Sequence, residues 1–97
     1  MDELNINIDD FEKPSEVLKV LGHPVRLGIV WGLLQKGSCN VSMVHECLGM
    51  PQSTISQHLG KLKAAGIVKV ERRGIEMHYM VAGGNILSLV NAILKEI

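Results

Sequence analysis

Two groups of side chains in this 97-residue chain have residue types and spacing that suit chemistry. The first is a line of sulfur. Cys39, Met43 and Cys47 recur every four residues, which sets them along one side of a helix. Soft donors in a row suit Cu(I) or another thiophilic ion, and two thiols suit redox chemistry, including a bridge between subunits. Length opposes a bond or a single ion between the outer two. Eight helical residues span about 12 Å, beyond the ~7 Å between Cα atoms that a disulfide tolerates. Small thiols in or beside the core are the plainer reading. A thiol- or soft-metal-responsive role for Cys39 and Cys47 stays open as an alternative. The four histidines, His23, His45, His58 and His78, include no i, i+4 pair, so no metal set is expected from them.

The second group lies within residues 52–61. Ile55, Leu59 and Leu62 follow the i, i+4, i+7 pattern of a buried helical stripe. At 100° per residue, Ser53, Gln57, Gly60 and Lys61 then point away from the core, with Thr54 and Ser56 on the flanks and Gln52 at the start. No carboxylate occurs between Glu46 and Glu71. An ordinary solvent face mixes Glu with Lys. Short hydrogen-bonding side chains without acids suit close approach to base edges and phosphates, Gln reading adenine and Ser or Thr reading several bases.

The elements that must hold these groups follow from periodicity and caps. A first helix is expected over 14–22, with Val17, Leu18 and Leu21 at helical spacing and Gly22 as its stop. His23-Pro24 opens a second helix, with proline in the first helical position, and Lys36-Gly37 closes it. Its residues Val25, Leu27, Ile29, Val30, Leu33 and Leu34 are apolar nearly all round, so it should be the most buried. Asn40 caps a short third helix over 41–48, with Val41, Val44 and Leu48 as its stripe and Gly49 as its end. A tight turn, Gly49-Met50-Pro51, leads to the fourth helix, which stops at Gly66. The period then changes from 3.6 to 2. Residues 67–72 and 75–81 read as two strands joined at Arg73-Gly74, which puts Arg72 and Arg73 at the tip. A last helix over 84–97 carries Ile86, Leu89, Val90, Ile93, Leu94 and Ile97. This stripe is wider than so small a domain can cover, so it is expected to pack against a second copy.

Composition bounds the classes. Apolar residues are 46% and charged residues 21%, which is a globular balance. Phe11, Trp31 and Tyr79 are the only aromatics apart from histidine, so the core must be aliphatic. A chain this short buries only about 60–65% of its unfolded surface, which favours extra burial by dimerisation. Lys+Arg and Asp+Glu both count 10, and that balance hides a division. Residues 1–16 hold six acids and one base; residues 17–97 hold nine bases and four acids. Residues 1–14 are therefore expected as an acidic tail and 15–97 as the folded domain, mildly basic overall. The longest apolar-plus-Gly run, residues 27–34, is far short of the roughly 20 residues of a membrane span. The first ten residues lack the basic start and apolar stretch of a targeting peptide. Two cysteines make no disulfide framework, so a cytoplasmic chain with reduced thiols and no membrane partner is expected. No phosphate loop, nucleophile elbow, carboxylate pair or zinc-hydrolase motif occurs, which speaks against an enzyme.

A short helix, a tight turn, a second helix and a β-hairpin make a winged helix-turn-helix, mainly α with a hairpin wing and five helices. The residues here also resemble the ArsR/SmtB family of bacterial regulators. Leu21-Gly22-His23-Pro24-Val25-Arg26-Leu27 is similar to the entry of that family's second helix, and residues 51–59 (PQSTISQHL) to its recognition helix. Residues 62–68 (LKAAGIV) and 74–80 (GIEMHYM) resemble its helix end and wing, so the likeness runs over about 15–82. Pro51 stands where the family commonly has a capping Ser or Asp.

The resemblance implies a homodimeric repressor of a palindromic operator, joined through its first and last helices. Val17, Leu18, Ile86, Leu89, Val90, Ile93 and Leu94 are then the interface candidates. Gln52, Ser53, Thr54, Ser56, Gln57, Lys61, Arg72 and Arg73 are the DNA-binding candidates. Family sensor sites find no match: Asn40 and Ser42 occupy the Cys-x-Cys positions, and residues 83–97 contain no His, Cys or Asp. Neither the second nor the last helix has the cysteine of the dithiol sensors. No cofactor is expected, and no inducer can be named. A winged-helix module that binds protein instead of DNA is the alternative of another class.

Overall fold

A computed structural model describes residues 3–94, so the expectations attached to Asp2 and Ile97 lie outside the described residues. The Asn7 side chain accepts from the Asp9 N–H at 3.1 Å and opens a 3-10 turn, Ile8–Phe11. That turn runs straight into α1, Glu12–Leu21. The helix thus starts two residues ahead of Pro14. Proline is tolerated there because a first-turn N–H has no intrahelical acceptor to lose. Residues 12–14, expected in the acidic tail, are consequently helical.

Helix α2, Pro24–Lys36, begins on His23, whose Nδ1 accepts from the Val25 N–H at 3.1 Å. Helix α3, Val41–Leu48, begins on Asn40, whose Oδ1 accepts from the Met43 N–H at 2.8 Å. It ends at Gly49, where φ is +68°. That left-handed conformation favours glycine and turns the chain sharply toward α4, Gln52–Ala64. Pro51 precedes α4 without any side-chain cap.

The wing is an antiparallel pair, β1 (Val68–Arg73) and β2 (Glu76–Val81), in register from Val68 opposite Val81 to Arg73 opposite Glu76. The turn is Gly74-Ile75, one residue later than expected, so Arg73 ends the ladder instead of bending it. Cys39 makes a two-way bridge to Tyr79, N to O at 3.0 and 2.8 Å, which ties the segment before α3 to the wing. Helix α5, Gly84–Leu94, completes the described chain. No single helix among the described residues is long and apolar enough to cross a membrane.

One aliphatic core joins all five helices and the base of the wing. Ile55, Leu59 and Leu62 of α4 are sealed with Val30 and Leu33 of α2, Ile67, and Val90 of α5. Burying a Leu or Ile side chain contributes about 1.5–3 kcal/mol, so α4 is fixed in rotation and its opposite side must face outward. Two parts of the expected burial are corrected. Leu48 is exposed: α3 is only two turns long, and Val44, with Val41 beside it, seals that contact. Ile86 and Val90 are core residues of their own protomer. Val90 is 0% exposed and has no surface to offer a second copy.

Candidate nucleic-acid interface

Gln52, Ser53, Ser56, Gln57, Gly60 and Lys61 are all exposed on the outer side of α4, and Thr54 is half-buried on its flank. Among the described residues, none of these side chains takes part in a hydrogen bond with the rest of the protein. Their donors and acceptors are available to an outside partner. The helix has no acid in its first turn and carries Lys61 and Lys63 in its last. Its positive dipole end lies beside Gln52 and Ser53, which favours anions there.

The approach angle of α4 is set by α3. His45 Nδ1 donates to the Met50 carbonyl across the turn between them, a role for this histidine that its spacing does not announce. A second clamp holds α4 from the other side. Arg26 Nε donates to the Val20 carbonyl of α1 at 2.6 Å, and its guanidinium donates to His58 Nδ1 on α4 at 3.3 Å. The His58 ring lies against His23, centroid to centroid 4.7 Å. Burial, with His23, Arg26 and Lys61 nearby, holds the His58 imidazole below its usual range. A neutral ring with a free Nδ1 lone pair is the form that accepts from arginine. His23, Arg26 and His58 together lock α1, α2 and α4 into one unit. No local spacing in the sequence announces this contact, because His23 and His58 are 35 residues apart.

The tip of the wing is exposed as well. Successive strand residues alternate sides, so Arg72 and Arg73 project from opposite faces of the hairpin. Arg72 Nε donates to the Gly74 carbonyl at 3.2 Å. Arg73 reaches Ser38 Oγ at 3.3 Å and pairs with Glu71 at 3.7 Å. That ion pair is half-exposed on both sides, a class worth roughly 0–1 kcal/mol, so it does not commit Arg73. The other wing acid, Glu76, accepts from the Asn40 side chain. Ile75 sits at the apex and is 94% exposed. Alternation alone makes it a strand residue, because a turn at Arg73-Gly74 falls one position early. Strand-forming isoleucine hides a place in a two-residue turn.

The comparisons with known proteins agree with this arrangement. A helix-turn-helix domain model matches residues 21–71. The transcriptional repressor PagR of Bacillus anthracis is 40% identical over 70 residues, 72% of this chain and 70% of that protein. An HTH-type transcriptional repressor SmtB of Mycobacterium tuberculosis is 41% identical over 76 residues, 78% of this chain and 56% of that protein. The chain belongs to the ArsR/SmtB family of winged helix-turn-helix transcriptional regulators. The crystal structure of PagR superposes with a TM-score of 0.82 at 32% identity, covering 90% of this chain and 99% of that one. A homodimeric winged helix-turn-helix DNA-binding domain from Mycobacterium bovis gives 0.83 at 27% identity, covering 96% and 85%.

Against that family background, the sulfurs sit differently from the sequence expectation. Asn40 is the cap, so Cys39 precedes α3 and is not part of a helical line with Met43 and Cys47. All three nonetheless line one cavity between α2 and α3. Cys39 is buried and Cys47 is exposed. Burial first, then the neighbouring Cys47, pushes the Cys39 thiol above its usual range, against a smaller pull from Lys36. Among the described residues no group of three or more His, Cys, Asp or Glu side chains is placed to hold a metal ion.

The other expected surface lies along α1 and α5. Leu18 is 57% and Ile93 59% exposed, Val17, Leu89 and Leu94 are half-buried, and Leu87, which the helical stripe does not include, is exposed as well. Val17, Leu18, Ile86 and Leu89 border a shallow groove where the two helices meet.

Proposed function

We propose that two copies of this chain pair through α1 and α5 and repress transcription by binding a two-fold operator. Each copy inserts its α4 into the major groove. The observation that carries this reading is the outer side of α4, residues 52–61: exposed, acid-free, and with its polar groups unclaimed by the protein. Gln57, Ser53 and Ser56 read base edges. Lys61, the α4 N-terminus and the wing arginines hold phosphates. Ile75, at the apex beside those arginines, packs against the minor groove, a place where apolar side chains commonly bear on DNA. The binding and pairing domain begins with α1 at Glu12, and the residues before it form an acidic extension. Leu18, Leu87 and Ile93 give up their exposed surface to the second copy, with Val17, Leu89 and Leu94 around them.

The test is a salt titration on duplex DNA. Removing one charged side chain from a phosphate lowers the slope of log affinity against log salt by about 0.9. Affinity is expected to fall steeply with salt, and Arg73→Ala is expected to flatten the slope by about that amount for each copy. Binding that ignores salt would favour a protein partner over a nucleic acid. A steep slope unchanged in the variant would remove Arg73 from the phosphate-binding set.

A further inference from the structure

The cavity between α2 and α3 plays no part in the DNA-facing surface. It measures about 230 Å³. One wall is built from Gly28 and Gly32, one turn apart in the middle of α2, with Trp31 beside them; Met43, Cys47 and Leu48 of α3 form the other, and Cys39 lines it between the two helices. Mid-helix glycines each cost about 1 kcal/mol relative to alanine, and close approach of another backbone is their usual justification. Neither has that justification here, since a Cβ at Gly28 or Gly32 would meet no atom within 4 Å. What they do is keep the space open.

The Cys39 side chain is the second, independent sign. It is 6% exposed, lines the cavity, and its thiol takes part in no hydrogen bond among the described residues. Lys36 and Gln35, the wall's polar members, are exposed residues at the end of α2. An indole, a thioether and two thiols around two bare glycine faces match the flat faces and edges of an aromatic ring, for which sulfur contacts are favourable. An apolar cavity of about 150 Å³ already holds benzene.

We propose that this cavity is a binding site for a small uncharged aromatic molecule of one or two fused rings, seated between the α2 glycines and the α3 sulfurs. Its walls include α3, which sets the angle of α4, and Cys39, which is bridged to Tyr79 of the wing. The site is independent of the operator-binding reading, and its test uses no DNA.

The experiment is a titration of the 97-residue chain with toluene, and separately naphthalene, followed by NMR. Trp31 is the chain's single tryptophan, so its indole N–H reports the site without assignment ambiguity, and the Met43 methyl reports the opposite wall. Saturable shifts at both groups with one molecule per chain are expected. Gly32→Leu, which fills the cavity, should weaken binding at least tenfold with the fold and subunit count unchanged. If that variant does not fold, Gly32→Ala decides: it should raise the thermal midpoint while weakening binding severalfold. Shifts that fail to saturate, shifts centred on α1 and α5, or undiminished binding by the Gly32 variant that folds would overturn the proposal. So would Trp31 shifts that follow protein concentration and ignore both probes, which would assign the groove to a second copy.

Discussion

Gln57 shows what one position on α4 is asked to do. Its amide is exposed, bound to nothing in the protein, and carries both a donor and an acceptor, the pair that matches adenine N7 and N6. Gln57→Ala should cost about 1–3 kcal/mol on the operator and much less on random duplex. Equal losses on the two duplexes, measured side by side by anisotropy, would move base reading elsewhere. His58, one residue along and facing inward, makes the opposite kind of contribution. Its folded-state pKa is depressed below the usual 6.5, so the unfolded chain binds its proton first as pH falls. The stability it supplies is complete above about 6.5 and declines as pH drops from there toward the folded value. Thermal midpoints recorded between pH 7.5 and 5 should fall, and His58→Gln should flatten the part of that fall due to this ring. A wild-type midpoint that stays level across the window would contradict a neutral, arginine-bound His58.

At the scale of elements, local signals set most boundaries. Asn40 and Gly49 bracket α3, Pro51 and Gly66 bracket α4, and the change from period 3.6 to 2 marks the wing, so all three are legible in the sequence. Asn40→Ala should therefore cost about 1 kcal/mol through loss of the cap, and the loss of its hydrogen bond to Glu76 should also loosen the wing. Chemical denaturation checks the first, and amide exchange at Cys39 and Tyr79 checks the second; unchanged stability would mean that α3 is held by packing alone. The sulfur spacing misleads for a reason visible in the same residues: a residue preceding an N-cap lies outside the helix, so Cys39 does not belong to the line. The Arg26 clamp is not legible. It joins residues from three helices, and periodicity carries no information about which helices meet. Wide apolar stripes have the same weakness. The pattern in α5 says that Ile86, Val90 and Ile93 avoid water, and only the packed chain separates the two core residues from the exposed one.

For the whole molecule, the division of α5 determines how pairing can be tested. A charge at Val90 would unfold the protomer and report nothing about assembly, whereas Ile93 is 59% exposed in the single chain. Ile93→Glu should leave the helical spectrum intact and shift sedimentation from dimer to monomer, with weaker DNA binding as a consequence. A variant that still sediments as a dimer would remove this part of α5 from the interface. The central claim, that paired α4 helices read a two-fold site, is tested most directly by selecting duplexes from a random pool and sequencing what is retained. Enrichment of an inverted repeat is predicted, its half-site centres one turn or a whole multiple of about 10–10.5 base pairs apart, and Gln57→Ala should relax the base preference at the same position of each half-site. A single unpaired motif, or a retained pool as random as the starting one, would contradict it.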